Sequence, residues 1–314
     1  MKLSIDGKDI LAKPQMTLQD MVKALDLDSD RLAEKPLAAK IAGEVFSLNY
    51  IPVREKDVSG ERPSMRRTMA ASGGVVHLLR YSDPAGKDVY TRTSQFVVFL
   101  ALQQLWPKAR GKMNCKVGKA LYIEVTGAED FSIDRLKAQV AKIVKEDIPL
   151  IRRSVGTTDA IAYFKACGQM DKARLLSWRE ESTFTVYSYD DYSDYFYGEL
   201  APSTGCLLTW DILPAEGGFM FLYPEDDDPQ QVARYEDLPK FLQVSTEGER
   251  WCELMECENV ADLNELVCNG RIRELIRVNE ALHEKRYSQV ADKICEQGAK
   301  VVMLAGPSSS GKTT

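Results

Sequence analysis

The feature that most constrains this chain is its last nine residues, Gly306-Pro307-Ser308-Ser309-Ser310-Gly311-Lys312-Thr313-Thr314. They fit the phosphate-binding pattern G-x-x-x-x-G-K-[ST], and the run before them, Lys300-Val301-Val302-Met303-Leu304-Ala305, reads as a buried strand. In such a loop Gly306, Ser308, Ser309, Ser310 and Gly311 curl the backbone so that its N–H groups face a phosphate. Lys312 reaches the β- and γ-phosphates, and Thr313, followed by Thr314, offers its hydroxyl to Mg²⁺. A nucleotide-binding fold needs the helix after this loop and several further strands. The expectation is therefore the front of a longer phosphoryl-transfer enzyme with ATP and Mg²⁺ as its cofactors, residues 299–314 being the start of its catalytic domain. Alone, the piece is expected to be inactive.

With 314 residues, 44% of them hydrophobic, the chain can bury two or three ordinary cores. Its seven cysteines (Cys115, Cys167, Cys206, Cys252, Cys257, Cys268 and Cys295) are scattered and include no C-x-x-C pair. Met1 leads straight into an alternating strand pattern, and no apolar run approaches membrane-spanning length. A reduced, cytoplasmic setting without disulfides or membrane contact is expected. Only two histidines occur, His77 and His283, so no zinc site is expected.

A net charge of −6 argues against non-specific nucleic-acid binding as the main task. Residues 107–119 run against that balance, with Lys108, Arg110, Lys112, Lys116 and Lys119 and no acid among them. A solvated loop after a helix is the favoured reading, and contact with an RNA phosphate backbone is the alternative.

Along the chain, Leu3-Ser4-Ile5 and Ile10-Leu11 flank Asp6-Gly7-Lys8 as a hairpin. Thr17 with Asp20 then caps a short helix that turns Leu18, Met21, Val22 and Leu25 inward. Residues 38–51 read as strand–turn–strand with Gly43-Glu44 at the turn, 54–74 as an exposed insertion, and 75–81 as a strand. Residues 1–85 thus form a small ubiquitin-sized α+β unit. In 94–105, Phe96, Val97, Phe99, Leu100, Leu102 and Leu105 make a wide apolar helix face ended by Pro107. Strands are expected at 121–125, 183–187, 206–213 and 219–223. Helices are expected after Ser132 and from Thr158-Asp159 to Gly168. Residues 86–224 make a second α+β domain. From 225 to 298 the chain becomes a helical connector, with Leu254, Val260, Leu263, Leu266, Ile272, Leu275, Ile276, Val290 and Ile294 at helical spacing.

Ala42-Gly43-Glu44-Val45, Leu102-Gln103-Gln104-Leu105-Trp106-Pro107, Asp191-Tyr192-Ser193-Asp194, Gly198 and Pro202 carry a resemblance. Residues 1–223 look like the N-terminal half of threonyl-tRNA synthetase, a ubiquitin-like (β-grasp) TGS domain followed by the second additional domain that edits mischarged tRNA. The family's editing site uses an H-x-x-x-H pair and a C-x-x-x-H pair. Counted from the shared residues, these fall on Arg92 and Phe96, then on Phe196 and Leu200. None of the four is a metal ligand or a base at neutral pH, so the resemblance implies a degenerate editing site. Tyr187 to Tyr197 holds six aromatics in eleven residues. They read as filling the vacated pocket, with a stacking surface for bases as the alternative.

Asn279-Glu280-Ala281-Leu282-His283-Glu284-Lys285, Ala291-Asp292-Lys293-Ile294 and Ala305 to Thr314 are similar to the entry into the catalytic domain of bacterial nucleoside kinases of the uridine kinase and phosphoribulokinase type. That resemblance implies an accessory region of a kinase that transfers a γ-phosphoryl group to a nucleoside hydroxyl, with nucleoside and ATP as partners. His283 then has a capping or packing role. The alternatives are a tRNA- or RNA-binding module related to threonyl-tRNA synthetase, a deacylase with rearranged catalytic groups, and a relic scaffold or dimerisation module.

Overall fold

The computed structural model describes residues 1–52 and 73–306. The class is α+β with mixed sheets, as the sequence pattern predicts. The chain divides into two compact units, Met1–Ala160 with Glu180–Ser245, and Ile161–Arg179 with Thr246–Thr314.

The first unit opens with the hairpin β1 (Lys2–Ile5) and β2 (Lys8–Leu11). Asp6 and Gly7 turn it with φ of 45° and 82°, the left-handed pair a two-residue hairpin needs. The Asp6 carboxylate accepts from the Leu78 N–H at 3.0 Å and pairs with Arg80 at 3.0 Å, pinning the turn to the neighbouring strand. Helix α1 (Leu18–Ala24) begins with the expected capping box: Asp20 N–H donates to Thr17 Oγ1, and Thr17 N–H donates to Asp20 Oδ2. Leu18, Met21 and Val22 are buried with Leu3, Ile5, Ile41, Phe46 and Val76.

β3 (Ala38–Ile41) and β4 (Glu44–Phe46) turn at Ala42-Gly43, one residue earlier than expected. Both residues take positive φ, 48° and 90°, which leaves Glu44 free to pair with Ile41. β5 (Val75–Leu79) completes a sheet ordered β2-β1-β5-β3-β4, with β1 and β5 parallel. The insertion expected at 54–74 falls, apart from the Gly73-Gly74 turn, outside the described residues.

Helix α2 (Pro84–Leu105) starts ten residues before the expected apolar face. Pro84 suits the first helical turn, where its missing N–H has no partner to lose. Val89 and Tyr90 extend the buried stripe toward that end. β6 (Arg110–Val117) and β7 (Ala120–Thr126) follow as an antiparallel hairpin. The basic segment is therefore mostly an edge strand and not a loop, with Arg110, Lys112 and Lys116 alternating in sequence with Gly111, Met113 and Val117. Charged, lysine-rich edges are a usual way to keep an exposed strand from pairing with other chains.

Next come α3 (Ile133–Glu146), capped by Ser132 as expected, β8 (Arg152–Gly156), α4 (Thr157–Ala166) and α5 (Met170–Ser177). β9 (Thr183–Tyr189), β10 (Tyr192–Asp194), β11 (Asp211–Ala215) and β12 (Gly218–Leu222) close the unit. The strand expected over 206–213 begins only at Asp211. Before it, Thr204–Cys206 is a 3-10 turn, held because Thr204 Oγ1 donates to Ile143 O at 2.7 Å and accepts from the Ile148 N–H at 2.8 Å. Two sheets result, ordered β10-β9-β8 and β11-β12-β7-β6. Tyr90, Phe96, Leu100, Leu136, Val140, Ile143, Ile123, Phe219 and Phe221 belong to one core, which also takes in Ala38, Leu79 and Tyr81. Asn49 Nδ2 donates to Leu150 O at 3.0 Å and Pro202 O at 2.8 Å.

The second unit is helical. α5 and most of α4 belong to it, α6 (Pro239–Leu254) runs into it, and α7 (Val260–Cys268) and α8 (Ile272–Glu296) complete it. Asn259 and Asp262 make a second capping box at the start of α7. Arg174 on α5 pairs with Asp262 and Glu265, each at 2.8 Å. His283 on α8 meets the Trp251 ring edge-on at 5.4 Å. Gly298, at φ 59°, ends the last helix. Beyond it the expected buried strand does not form: 299–306 carries no strand pairing, and Val301, Val302, Met303 and Leu304 are exposed. A strand is stabilised by a partner's ladder of hydrogen bonds, and no described strand lies beside this one. No helix among the described residues is long and apolar enough to cross a membrane.

Candidate functional site

The four positions expected to mark a degenerate editing cleft come together in the first unit. Arg92 and Phe96 stand one turn apart on α2, facing the segment after β10 that carries Phe196 and Leu200. Phe96 is fully buried, with its ring 5.3 Å from Tyr192 and 6.3 Å from Phe196. Phe196 in turn lies 6.5 Å from Tyr187 at 65°. Tilted and edge-to-face rings at these separations fill volume favourably. Leu200 is fully buried in the same core.

Arg92 closes the polar side. Its Nε donates to Glu199 O at 3.0 Å, and the guanidinium lies over Gly198. Gly198 has φ 134°, and a β-carbon there would sit 2.7 Å from Arg92 Cζ, so glycine serves both the backbone angle and the close approach. Burial lowers the Arg92 pKa, while Asp88, Tyr187 and Glu199 act in the opposite direction.

Behind the rings lies a polar network with no signature in the sequence. Glu199 is buried, paired with Arg152 Nη1 at 2.6 Å, and accepts the Tyr187 hydroxyl at 2.8 Å. The Tyr187 hydroxyl also accepts from the Leu200 N–H at 3.2 Å. Burial first, and then the negative charge of Glu199, raise the Tyr187 pKa. Thr93 Oγ1 donates to Val89 O at 2.7 Å and accepts from the Ala201 N–H at 2.9 Å, tying the same segment to α2. Asp194 accepts from the Tyr192 hydroxyl at 3.1 Å and from the Tyr195 N–H at 2.8 Å.

Of the aromatic stretch, Tyr187 and Tyr192 are core residues, and Tyr197 is 74% exposed. Tyr195 bridges the two groups, 5.0 Å from Phe184 and 5.8 Å from Tyr197. The inner rings thus pack in the core, and the outer ones form a small aromatic ledge. Among the described residues, no group of three or more His, Cys, Asp or Glu side chains is placed to hold a metal. Of the expected phosphate-loop residues, Gly306 is exposed, and Ser308, Ser309, Ser310, Gly311, Lys312, Thr313 and Thr314 lie outside the described residues.

No protein-family model matches the chain. Individual curated proteins do. The relatives are threonine–tRNA ligases. The ligase of Desulforamulus reducens is 25% identical over 207 residues, 65% of this chain and 29% of the ligase. That of Carboxydothermus hydrogenoformans is 26% identical over 208 residues, 65% and 30% of the two chains. That of Methylobacillus flagellatus is 22% identical over 228 residues, 70% and 33%. The chain spans about a third or less of the length of these relatives.

These matches bear out the similarity to threonyl-tRNA synthetase. They also correct the expected function. The relatives are tRNA ligases and not kinases, so the reading of the chain as the accessory region of a nucleoside kinase is overturned in favour of the synthetase-related alternative. They offer no support for nucleoside or ATP as partners.

Proposed function

We propose that this chain is a tRNA-binding module related to threonyl-tRNA synthetase, in which a TGS-like β-grasp and an editing-like domain persist and the editing chemistry is lost. The relatives support the RNA class of partner. The strand order β2-β1-β5-β3-β4 with one helix across it suits a β-grasp. The observation that carries the loss of chemistry is the packing of Phe96 against Phe196 and Tyr192, with Arg92 fixed to Glu199 O. Hydrolysis of an aminoacyl ester needs a group that activates water. Three of the four cleft positions are hydrocarbon, and the fourth is a guanidinium that stays protonated.

The test takes the full chain through two assays. Binding of a threonine tRNA transcript, followed across a salt series, is expected to weaken steeply as salt rises. Hydrolysis of mischarged tRNA is expected to stay at the uncatalysed rate. Absence of tRNA binding overturns the binding half of the reading, and hydrolysis above background overturns the other half.

A further inference from the structure

The lysine-rich edge strand β6 ends at a place where the protein sets its own carboxylates against its own cations. Lys119, in the β6–β7 turn, lies 2.7 Å from Glu225 Oε2 and 3.1 Å from Asp226 Oδ2. Lys87, in the first turns of α2, reaches the same Asp226 at 2.5 Å. Lys116, on β6 itself, stands 5.9 Å over the Tyr223 ring, and Lys87 stands 5.7 Å over Tyr81. Three ammonium groups from two elements thus converge on residues 223–226.

The backbone fixes this loop in place. Tyr223 N–H donates to Lys119 O at 3.0 Å, the Tyr81 hydroxyl donates to Pro224 O at 3.2 Å, and Ala233 N–H donates to Tyr223 O at 2.9 Å. The carboxylates of Glu225 and Asp226 are held in their ionised form mainly by hydrogen bonds from Lys119 and Lys87 respectively. All four charged side chains remain between a third and a half exposed. An ammonium on a flexible stem can exchange a carboxylate for a phosphate there without any movement of the backbone.

We infer that Lys87, Lys116 and Lys119 form an RNA phosphate-binding surface at the end of β6, which Glu225 and Asp226 hold in check by occupying two of its three cations. The inference rests on the tRNA-binding reading and adds the surface and its restraint. RNA phosphates compete with the two carboxylates for Lys87 and Lys119, so the intact chain binds below the strength its basic edge allows.

The experiment measures affinity for a threonine tRNA transcript against salt for the full chain and for Glu225→Gln/Asp226→Asn. Freeing two ammonium groups is expected to tighten binding about tenfold at low salt and to steepen the log–log salt slope by about 1 to 2. Asp227→Asn removes a neighbouring charge that touches neither lysine and is expected to change affinity by less than about twofold. Lys119→Ala is expected to matter little in the native chain and to reverse much of the gain in the double variant. Matching melting curves show that the variants are folded.

If native and double variant bind equally, the restraint is overturned while tRNA binding stands. If Asp227→Asn matches the double variant, net charge alone is at work and the restraint is again overturned. If neither protein binds, the tRNA-binding reading falls and takes this inference with it.

Discussion

Arg152 Nη1 sits 2.6 Å from Glu199 Oε1, while the other carboxylate oxygen of Glu199 accepts the Tyr187 hydroxyl at 2.8 Å. This pair joins β8 to the segment that carries Phe196 and Leu200, and Tyr187 passes the bond on to the Leu200 N–H. The aromatic cluster around Phe96 therefore has a polar anchor behind it. A buried carboxylate is stable only while its partners are present.

Removing one partner is the direct check. Arg152→Met leaves Glu199 buried without its counter-charge and is expected to lower stability by about 2–4 kcal/mol. Glu199→Gln keeps an acceptor for Tyr187 and is expected to lose less. Urea unfolding followed by tyrosine fluorescence ranks the two.

The aromatic plug makes a second prediction. Phe96→Ala removes a fully buried ring that touches Tyr192 and Phe196, so a loss of about 3–5 kcal/mol is expected. Calorimetry comparing Phe96→Leu with Phe96→Ala checks that the deficit follows the volume removed.

At Gly198 steric and backbone effects can be separated. Gly198→Ala places a β-carbon 2.7 Å from Arg92 Cζ at a φ of 134°, and a loss of about 1–3 kcal/mol is expected. In an Arg92→Ala background the steric share disappears and the backbone share remains. Thermal melts of the four proteins in that cycle measure both.

Alkaline pH probes the buried phenols. Burial pushes the Tyr223 hydroxyl up to about 12, and Tyr90 and Tyr187 are raised as well. A raised acid stays neutral in the fold while its unfolded counterpart ionises near 10. Its contribution is fully present below pH 10 and is lost as pH climbs from 10 toward 12. Ultraviolet titration is expected to show the buried Tyr90, Tyr187 and Tyr223 ionising only as the unit unfolds.

In the helical unit, Arg174 is the fork between Asp262 and Glu265. It is partly exposed, so Arg174→Ala is expected to weaken the contact between α5 and α7 by about 0.5–1 kcal/mol. Limited proteolysis within α7 should become faster in the variant.

Local chemistry was the legible part of this molecule. Thr17 and Asp20, Ser132, Asp6-Gly7 and Gly298 each act through neighbours a few residues away, and each does what its spacing implies. β6 alternates Arg110, Lys112, Asn114 and Lys116 with Gly111, Met113, Cys115 and Val117, so the run of cations that reads as a solvated loop also carries a strand period. β8 shows no apolar alternation over Arg152-Arg153-Ser154, and its place comes from its ladder with β9, with Arg152 also paired to the distant Glu199. The strand expected over 206–213 starts only at Asp211, after a 3-10 turn at Thr204–Cys206 that the Thr204 hydroxyl holds to Ile143 O and the Ile148 N–H, partners far away in sequence.

By itself the sequence determined the α+β class, the caps and turns, and that Arg92, Phe96, Phe196 and Leu200 carry neither imidazole nor thiol, because residue type and short spacing fix all of these. Tertiary structure decided that those four positions meet, that Glu199 and Arg152 anchor them, that Lys119 is held by Glu225 and Asp226, and that residues 299–306 lie exposed without a strand partner. Those outcomes depend on groups brought together from distant parts of the chain. Burial, ring packing and charge pairing at a few ångströms act between such groups only once the fold has placed them.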